Sequence, residues 1–164
     1  MDVFQFVGED ATFRGFEVQG GAELAEIGNF TLKTDALAEY VRAKTDSGDL
    51  PRIPPLSILT GIEADSERFN FRAELDYAAE QNKTETFEIP TDDFALVNLF
   101  ATWWAPAGTQ DVRLSLSVLN LLDDDARQHT SFLKDTVPLP GRNVRFSIAS
   151  SSVSYTHLTL PTKA

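Results

Sequence analysis

The chain has 164 residues, with 25 acidic and 14 basic side chains that give a formal net charge of −11 at pH 7. This length suits one domain of ordinary size, and the acidic balance argues against a general nucleic-acid binder, which would carry a basic patch. The chain has no cysteine, so disulfides and thiolate metal sites are excluded, and no apolar run approaches the roughly 20 residues that a membrane helix needs.

The first half of the chain predicts four strands. Asp2–Val7 is predicted as the end of a strand, and Thr12–Leu24 and Phe30–Lys44 follow with apolar side chains at every second position. This period is typical of a strand with one apolar and one polar face. A helix is the competing interpretation of Asp35–Lys44, since Ala, Leu and Glu favour helices, but the length of the flanking strands favours a strand. Leu56–Ala64 comes next, after a connection whose prolines exclude a central strand.

The second half predicts four more strands. They are Phe69–Ala79, Asp93–Trp104, Val112–Val118 and Val144–Ile148. Most of the predicted strands reach the roughly 9–11 residues that a tilted strand needs to cross a bilayer, whereas strands average about 5 or 6 residues in soluble proteins. Length and sustained alternation therefore predict an all-β fold, an antiparallel up-and-down transmembrane β-barrel fragment of about eight strands.

The connections indicate the same fold. Residues 45–55, 81–92 and 123–140 are long, and they alternate with short connections at 65–68 and 105–111. Outer-membrane barrels have short periplasmic turns and longer outer loops in alternation.

The aromatic residues suit this arrangement if the last strand ends in the periplasm. Trp103 and Trp104 would then lie at the periplasmic interface, and Tyr40 and Tyr77 near the outer one, where aromatic belts are expected. The short connection at 8–11 would be an outer loop and is a mild misfit.

Several short motifs occur along the chain in a fixed order. They are Ala11–Glu17, Val41–Lys44 with Leu50–Pro55, Asn120–Asp123, His129–Asp135 and Pro138–Asn143. Together these motifs resemble the C-terminal end of TonB-dependent outer-membrane receptors. The positions that carry the last part of the resemblance are Asn120, Asp123, His129, Lys134, Asp135, Pro140, Gly141, Arg142 and Asn143.

The resemblance implies energised import across the Gram-negative outer membrane, with a metal or a siderophore-type metal chelate as the ligand. In such receptors a plug domain moves and contacts the TonB complex, and the segment in hand supplies barrel wall and outer loops. The implied partners are therefore the TonB complex, reached through a plug region outside this chain, outer-membrane lipid and the ligand. No cofactor and no nucleic acid is implied. The loop 123–140 resembles the zinc- and iron-uptake branch.

The resemblance extends over residues 1–149, which correspond to the last third or less of such a barrel. Met1 is followed by Asp2 rather than by a basic and then apolar stretch, so no signal peptide is visible, and we expect the natural N-terminus to lie upstream. Residues 150–164 read as one translation frame of a sequencing adapter. We expect this tail to be non-native.

His129, with Asp123 and Asp125 nearby in sequence, is the candidate metal site, since imidazole and carboxylates are metal ligands. The uneven spacing of these residues is not an established ligand pattern, so the simpler hypothesis is a solvated loop in which a motif histidine holds the loop structure.

Charged side chains on the polar strand faces could line a substrate path. They are Lys33, Asp35, Glu39, Arg72, Glu74 and Asp76. Polar interiors are ordinary for such barrels, so we interpret them first as hydrated wall and plug contacts. Glu74 and Asp76 could suggest acid–base catalysis, but one polar strand face explains them more simply. No catalytic constellation appears, so we predict that the protein is not an enzyme.

Two alternatives are kept open. The first is a soluble, secreted β-sandwich that binds carbohydrate or protein, in which the apolar strand faces would meet in a core between two sheets. The second is an enzyme on a β scaffold.

Overall fold

The computed structural model describes residues 8–107 and 110–151. Seven strands form one antiparallel sheet, and their order in the sheet is their order in the chain. The strands are β1 (Thr12–Ile27), β2 (Phe30–Lys44), β3 (Ser57–Asp65), β4 (Phe69–Ala78), β5 (Phe94–Ala107), β6 (Gln110–Leu119) and β7 (Asn143–Ser151). This up-and-down order confirms the predicted fold class, and within the described residues the sheet is open, with β1 and β7 at its edges.

Every predicted strand from Thr12 onward is present, and the strand predicted at Asp2–Val7 lies outside the described residues. The helical interpretation of Asp35–Lys44 is wrong, because β2 runs without a break and pairs with β1 on one side and β3 on the other. Tertiary pairing here overrides the helix propensity of Ala, Leu and Glu. No helix long and apolar enough to span a membrane occurs in the part of the chain that the structure describes.

One predicted turn is wrong in its bounds. The sequence predicts a short connection at residues 105–111, but β5 continues to Ala107 and β6 begins at Gln110. Pro106 pairs with Asp111 and Ala107 with Gln110, because the ladder between the two strands continues past Trp104. The hairpin is therefore longer than its Pro and Gly content indicated. At the other end, β7 includes Ser150 and Ser151, and the rest of the predicted non-native tail lies outside the described residues.

The connections alternate in length as predicted. Residues 45–56, 79–93 and 120–142 form long loops, whereas 28–29, 66–68 and 108–109 are short. Because consecutive strands are antiparallel, the three long loops leave one end of the sheet, here named the loop end. The short connections leave the opposite turn end.

Aromatic side chains gather near both ends. Trp103 stacks on Phe69, with ring centroids 6.1 Å apart, beside the turn that joins β3 to β4. Tyr40 meets Phe16 at 6.0 Å nearer the loop end. Trp103 therefore lies at the turn end and Tyr40 toward the loop end, as the sequence predicted.

Each face of the sheet has one chemical character. The apolar face is shown by one row of paired residues that crosses from β2 to β7: Leu32, Ala64, Phe71, Ala101, Leu116 and Phe146. Phe71 is 45% exposed and Phe146 64% exposed. The described residues form a single sheet, so these side chains do not meet a second sheet, and the predicted β-sandwich alternative is wrong.

A β-bulge at Leu24 keeps this face continuous. Glu23 pairs with Lys33 and Ala25 with Leu32, so Leu24 is the extra residue. Without the bulge a one-residue offset would turn every following side chain to the other face. With it, Ala25 lies opposite Leu32, and the end of β1 keeps its apolar residues on the apolar face.

The small buried core lies on the polar face at the loop end. Ala78 and Phe94 end and begin the paired strands β4 and β5, and Ala126 packs against them from the loop 120–142. Leu139 and Leu96 complete the cluster. The last long loop therefore folds back over the polar face, and this places its motif residues next to the loop 79–93.

Candidate functional site

The three long loops meet at one carboxylate. Glu88 Oε1 accepts a hydrogen bond of 2.9 Å from the backbone N–H of Arg52 and one of 3.0 Å from the ammonium of Lys134. These residues belong to the loops 45–56, 79–93 and 120–142 respectively. The Glu88 side chain is 7% exposed. One buried carboxylate thus joins all three loops in what we name the loop junction: Arg52, Glu88, Thr91, His129 and Lys134.

Lys134, in the last loop, supplies the positive charge of the loop junction. Its Nζ atom donates to Ile89 O at 2.6 Å and to Glu88 Oε1 at 3.0 Å, and it lies 3.3 Å from His129 Nδ1. An ammonium has three donors, and each has an acceptor here. A charge is tolerated in the interior only when it is paired and hydrogen-bonded, so these contacts explain why a lysine is buried at this position.

His129 is buried beside the same pair. Its Nδ1 atom lies 2.9 Å from Thr91 Oγ1 and 3.3 Å from Lys134 Nζ. Because an ammonium only donates, Nδ1 accepts, and we assign the ring proton to Nε2. Nε2 lies 3.2 Å from Glu88 Oε1, which is within ion-pair distance but outside hydrogen-bond geometry. This second contact is therefore electrostatic.

The surroundings shift both titratable groups toward lower pKa. Burial acts to raise the pKa of Glu88, but the hydrogen bonds from Lys134 and Arg52 and the charge of Lys134 outweigh burial and hold it below 4.5. Burial and the charge of Lys134 lower the pKa of His129 below 6.5, against the opposing effect of Glu88. At neutral pH the junction therefore holds a carboxylate and a neutral imidazole.

Motif residues at the two ends of the last loop contact each other and close the loop at its base, here named the neck. Asn120 is 2% exposed; its amide donates to Asp124 O at 2.9 Å, and its Oδ1 accepts from the Asp124 N–H at 2.9 Å. Asp123 Oδ1 accepts from the Arg142 N–H at 2.7 Å. A Cβ at Gly141 would lie 3.0 Å from the same oxygen, so Gly141 allows this close approach.

The other motif positions have smaller structural roles. Pro140 O accepts a hydrogen bond of 3.4 Å from the Asn120 amide. Asn143 begins β7, and its Oδ1 accepts from Arg145 Nε at 2.8 Å. Asp135 acts on His129 through its charge.

The structure does not bring the three metal candidates together. His129 lies in the loop junction, Asp123 closes the neck, and Asp125 lies 3.7 Å from Arg127. Among the residues that the structure describes, no group of three or more His, Asp or Glu could hold a metal ion. A metal-binding role for these residues stays a prediction.

Around the loop junction the usual distribution of side chains, with apolar residues buried and charged residues exposed, is reversed. The charged side chains of Glu88 and Lys134 are buried, whereas the apolar residues beside them point to solvent. Phe87 is 93% exposed and Phe132 82% exposed; Ile89 and Leu133 are also exposed. The guanidinium of Arg52 lies 3.4 Å from the centroid of the Phe132 ring, a cation–π contact. The loops thus present an apolar surface with one cation at the loop end.

Below the loops, the polar face holds a network around Arg72. The guanidinium crosses β3 to make two hydrogen bonds to the Asp35 carboxylate on β2. It also contacts Glu74 at 3.2 Å and Glu63 at 3.7 Å. A Cβ at Gly61 would lie 2.4 Å from Arg72 Cζ. The missing side chain of Gly61 therefore provides the space in which the arginine lies.

A cavity of about 250 Å³ separates this wall from the loops. Its lining combines apolar residues with acidic side chains from the wall and the loop 79–93 and with the cation and polar residues of the last loop: Glu39, Asp76, Asp92, Arg127, Gln128, His129 and Thr130. Of the charged residues singled out in the sequence, Asp76 and Glu39 lie here, Lys33 pairs with Asp65 at 3.4 Å, and the remaining three belong to the Arg72 network. The wall therefore carries charged side chains that pair across neighbouring strands or line this cavity.

Residues 2–121 match the protein family described as "TonB dependent receptor-like, beta-barrel". The chain belongs to this family. The matched residues extend past the end of β6, so they cover the sheet up to the last long loop. The predicted resemblance to TonB-dependent receptors is thereby confirmed, and the polar face corresponds to the inside of a receptor barrel.

A solved structure entitled "Copper transporter OprC" is similar to this receptor segment. The TM-score is 0.74 and the sequence identity 26%, over 85% of this chain and 23% of that chain. The chain thus spans about a quarter of the length of that transporter. No curated protein matches the sequence. The family and the similar structure are a receptor and a transporter, and neither name is that of an enzyme.

Sequence reasoning missed part of the receptor's loop junction. His129 and Lys134 belong to the last motifs and Arg52 to the motif Leu50–Pro55, but Glu88 and Thr91 were predicted only as part of a polar loop. The one local signal is that Glu88 stands between Phe87 and Ile89, a single acid among apolar residues. Its partner Lys134 is 46 positions away, so no local pattern could identify the pair.

Proposed function

We propose that this chain forms wall and outer loops of a Gram-negative outer-membrane receptor that imports a metal or a metal chelate by TonB coupling. The observation that carries the proposal is the single amphipathic sheet with all its long loops at one end, in a chain that matches the receptor-barrel family. An apolar face without a covering sheet suits contact with lipid, and a polar face suits a hydrated lumen.

The loop end supports a role in ligand contact. Phe87 and Phe132 are exposed beside Arg52, and ligand sites combine apolar and aromatic surface with a few polar groups. Below them lies the cavity that three carboxylates, Arg127 and apolar residues line together. A ligand captured at the loops would pass this cavity on its way inward. The name of the similar copper transporter favours a metal-containing ligand.

The TonB complex would act through a plug region that lies outside the described sheet. In this proposal the described residues provide the passage and the first contacts, and the movement belongs to the plug. A metal-binding role for His129, Asp123 and Asp125 stays part of this proposal, because a ligand that enters at the loop end would pass the loop that carries them. The assignment of residues 150–164 to a non-native tail likewise stays a prediction.

The test uses the complete receptor that contains this segment, expressed in a Gram-negative host that lacks its own copy. Uptake of radiolabelled iron, zinc and copper, each free and chelated, is measured with and without an active TonB protein. We expect the receptor in the outer-membrane fraction and TonB-dependent uptake of at least one form. A receptor found in the soluble fraction, or uptake of none of these forms, would contradict the proposal.

A further inference from the structure

One asparagine side chain on the polar face connects the strand wall to the last long loop. Asn98 on β5 lies directly opposite Glu74 on β4, and its Nδ2 atom donates to Glu74 Oε1 at 3.4 Å. Its Oδ1 atom accepts a hydrogen bond of 3.0 Å from the backbone N–H of Asn120, the first residue after β6. The two ends of the amide cannot exchange, since a carboxylate only accepts and a backbone N–H only donates. The orientation of Asn98 therefore depends on both partners.

The neck of the last loop needs such a contact because its backbone is strained. Asn120 and Asp123 have φ angles of 50° and 61°, in the left-handed region that residues other than glycine rarely adopt. Conformations of this kind persist only where the surrounding contacts hold them. The Asn120 side chain is bonded to the Asp124 backbone inside the neck, so it is the Asn98 side chain that links the Asn120 N–H to β5.

The other partner of Asn98 belongs to the charged network of the wall. Glu74 Oε2 accepts from Arg72 Nε at 3.2 Å, and Arg72 in turn binds the Asp35 carboxylate on β2. The Glu74 and Arg72 side chains are each 20% exposed, so a charged group in the lumen can reach them. A hydrogen bond between two charged groups is stronger than one to a neutral amide. A cationic group in the lumen would therefore displace Asn98 from Glu74.

We propose that Asn98 couples the charged network of the lumen to the neck of the last outer loop. When a cationic group draws Glu74 away, the Asn98 amide loses the contact that fixes its orientation, and the Asn120 N–H loses its acceptor. The strained neck then relaxes, and the loop 120–142 opens. Because coupling between two sites is reciprocal, opening of the loop also frees Glu74 for the lumen. The inference rests on the proposed function, in which a ligand passes through this lumen.

The experiment uses the complete receptor in detergent and follows hydrogen exchange of residues 120–124 in the neck. Glu74→Ala should speed this exchange about fivefold, the effect of one lost hydrogen bond, and leave the loop 79–93 unchanged. Glu74→Gln should recover part of the protection, because an amide oxygen still accepts from Asn98.

The matched control is Glu63→Ala, which removes another carboxylate from the same network. Glu63 lies 3.7 Å from Arg72 and accepts its hydrogen bond from Asn70, on the far side of Arg72 from Asn98. Neck exchange should therefore stay at the wild-type rate in this variant.

A double-mutant cycle then tests whether the effect passes through Asn98. Asn98→Leu keeps a branched side chain but has no polar atoms, so neck exchange should already be raised. Addition of Glu74→Ala should raise it no further. If Asn98→Leu does not fold, the comparison of Glu74→Ala with Glu63→Ala still decides.

Three outcomes would overturn the inference: unchanged neck exchange in Glu74→Ala, an equal increase in Glu63→Ala, or the same effect of Glu74→Ala with and without Asn98. The proposed function fails separately. A receptor that imports its ligand but shows no coupling refutes only the inference, whereas a coupled neck in a receptor that imports none of the tested metals refutes only the proposed function.

Discussion

Glu88 shows how one side chain can determine the arrangement of three loops. Its carboxylate accepts from a backbone N–H on one loop and from an ammonium on another, while its own loop supplies the Ile89 carbonyl to the same ammonium. Both charged side chains are almost fully buried. Removal of one partner of a buried pair leaves the other charge uncompensated, so the geometry of the loop junction depends on all its members.

We therefore expect Glu88→Gln to loosen the loop layer. The buried Lys134 charge would lose its counter-ion, and breaking such a pair costs about 3–5 kcal/mol. Hydrogen exchange of the complete receptor in detergent should show faster exchange in residues 79–93 and 120–142, with the strands unchanged. Asp125→Asn is the control, because it removes only an exposed contact of 3.7 Å with Arg127. Unchanged loop exchange in Glu88→Gln would show that the junction does not hold the loops.

On the strand wall, Gly61 likewise determines the position of a neighbouring side chain, because it has no Cβ atom of its own. A Cβ there would collide with the Arg72 guanidinium at 2.4 Å, and the arginine would have to move away from Asp35. The Asp35 side chain is 48% exposed, so solvent screens the pair, and we expect it to contribute at most about 1 kcal/mol.

The second prediction is that Gly61→Ala removes the stabilising interaction between Arg72 and Asp35. In the wild type, Asp35→Asn should destabilise the barrel by up to about 1 kcal/mol. In the Gly61→Ala background the same change should cost nothing, because Arg72 no longer reaches Asp35. Thermal unfolding of the four proteins in a double-mutant cycle measures the difference. Equal effects of Asp35→Asn in both backgrounds would contradict the role given to Gly61.

At the scale of the elements, the three loops form one hydrogen-bonded layer. Gln81 and Thr91 pair across the base of the second loop, and the Gln81 amide donates to Ile53 O at 2.9 Å on the first. Thr91 continues the connection to His129 in the last loop. Since Glu88 and His129 both have lowered pKa values, acid should weaken the contacts of this layer at both groups.

The third prediction is that the loop layer loosens in acid in two stages. A lowered pKa means that the folded junction binds protons less readily than the free chain, so stability falls as pH falls. The His129 contribution is complete above 6.5 and declines below it; the Glu88 contribution declines below 4.5. Hydrogen exchange of the loops against pH should show both stages, and His129→Asn should remove the first. Loops that tighten on acidification would refute the assignment.

At the scale of the whole molecule, the sheet that the described residues form has two open edges and an apolar face that no second sheet covers. Val144, Phe146 and Ile148 on β7 and Phe16 and Val18 on β1 are all more than half exposed. The buried apolar core of the described residues is limited to a few side chains under the loops. The sheet therefore needs further strands and lipid to satisfy its edges and its apolar face.

The fourth prediction follows for the isolated chain. In water without detergent, unpaired strand edges and a broad apolar surface should cause aggregation. Size-exclusion chromatography with light scattering should find large, polydisperse species, and added detergent should reduce their size. Recovery of a monodisperse monomer that unfolds cooperatively in plain buffer would contradict the receptor-barrel interpretation at its physical basis.

The sequence by itself determined the strands, their two faces and the end from which the long loops leave. Side chains alternate at period two in any strand, so this information is local: Phe69–Ala79 shows it without reference to the rest of the chain. The same local reasoning placed Trp103 near the short turns. It failed at the turn around Pro106, where pairing between strands extended the hairpin beyond its turn signals.

Only the tertiary structure decided the contacts between distant residues. The bulge at Leu24 is defined by the partner strand, the space above Gly61 is filled by an arginine from the next strand, and Glu88 meets Lys134 from a different loop. The entropic cost of closing a loop changes only slowly with its length, so the length of a long loop does not specify where it packs. The buried charges specify it, because each must find a counter-charge on a neighbouring loop.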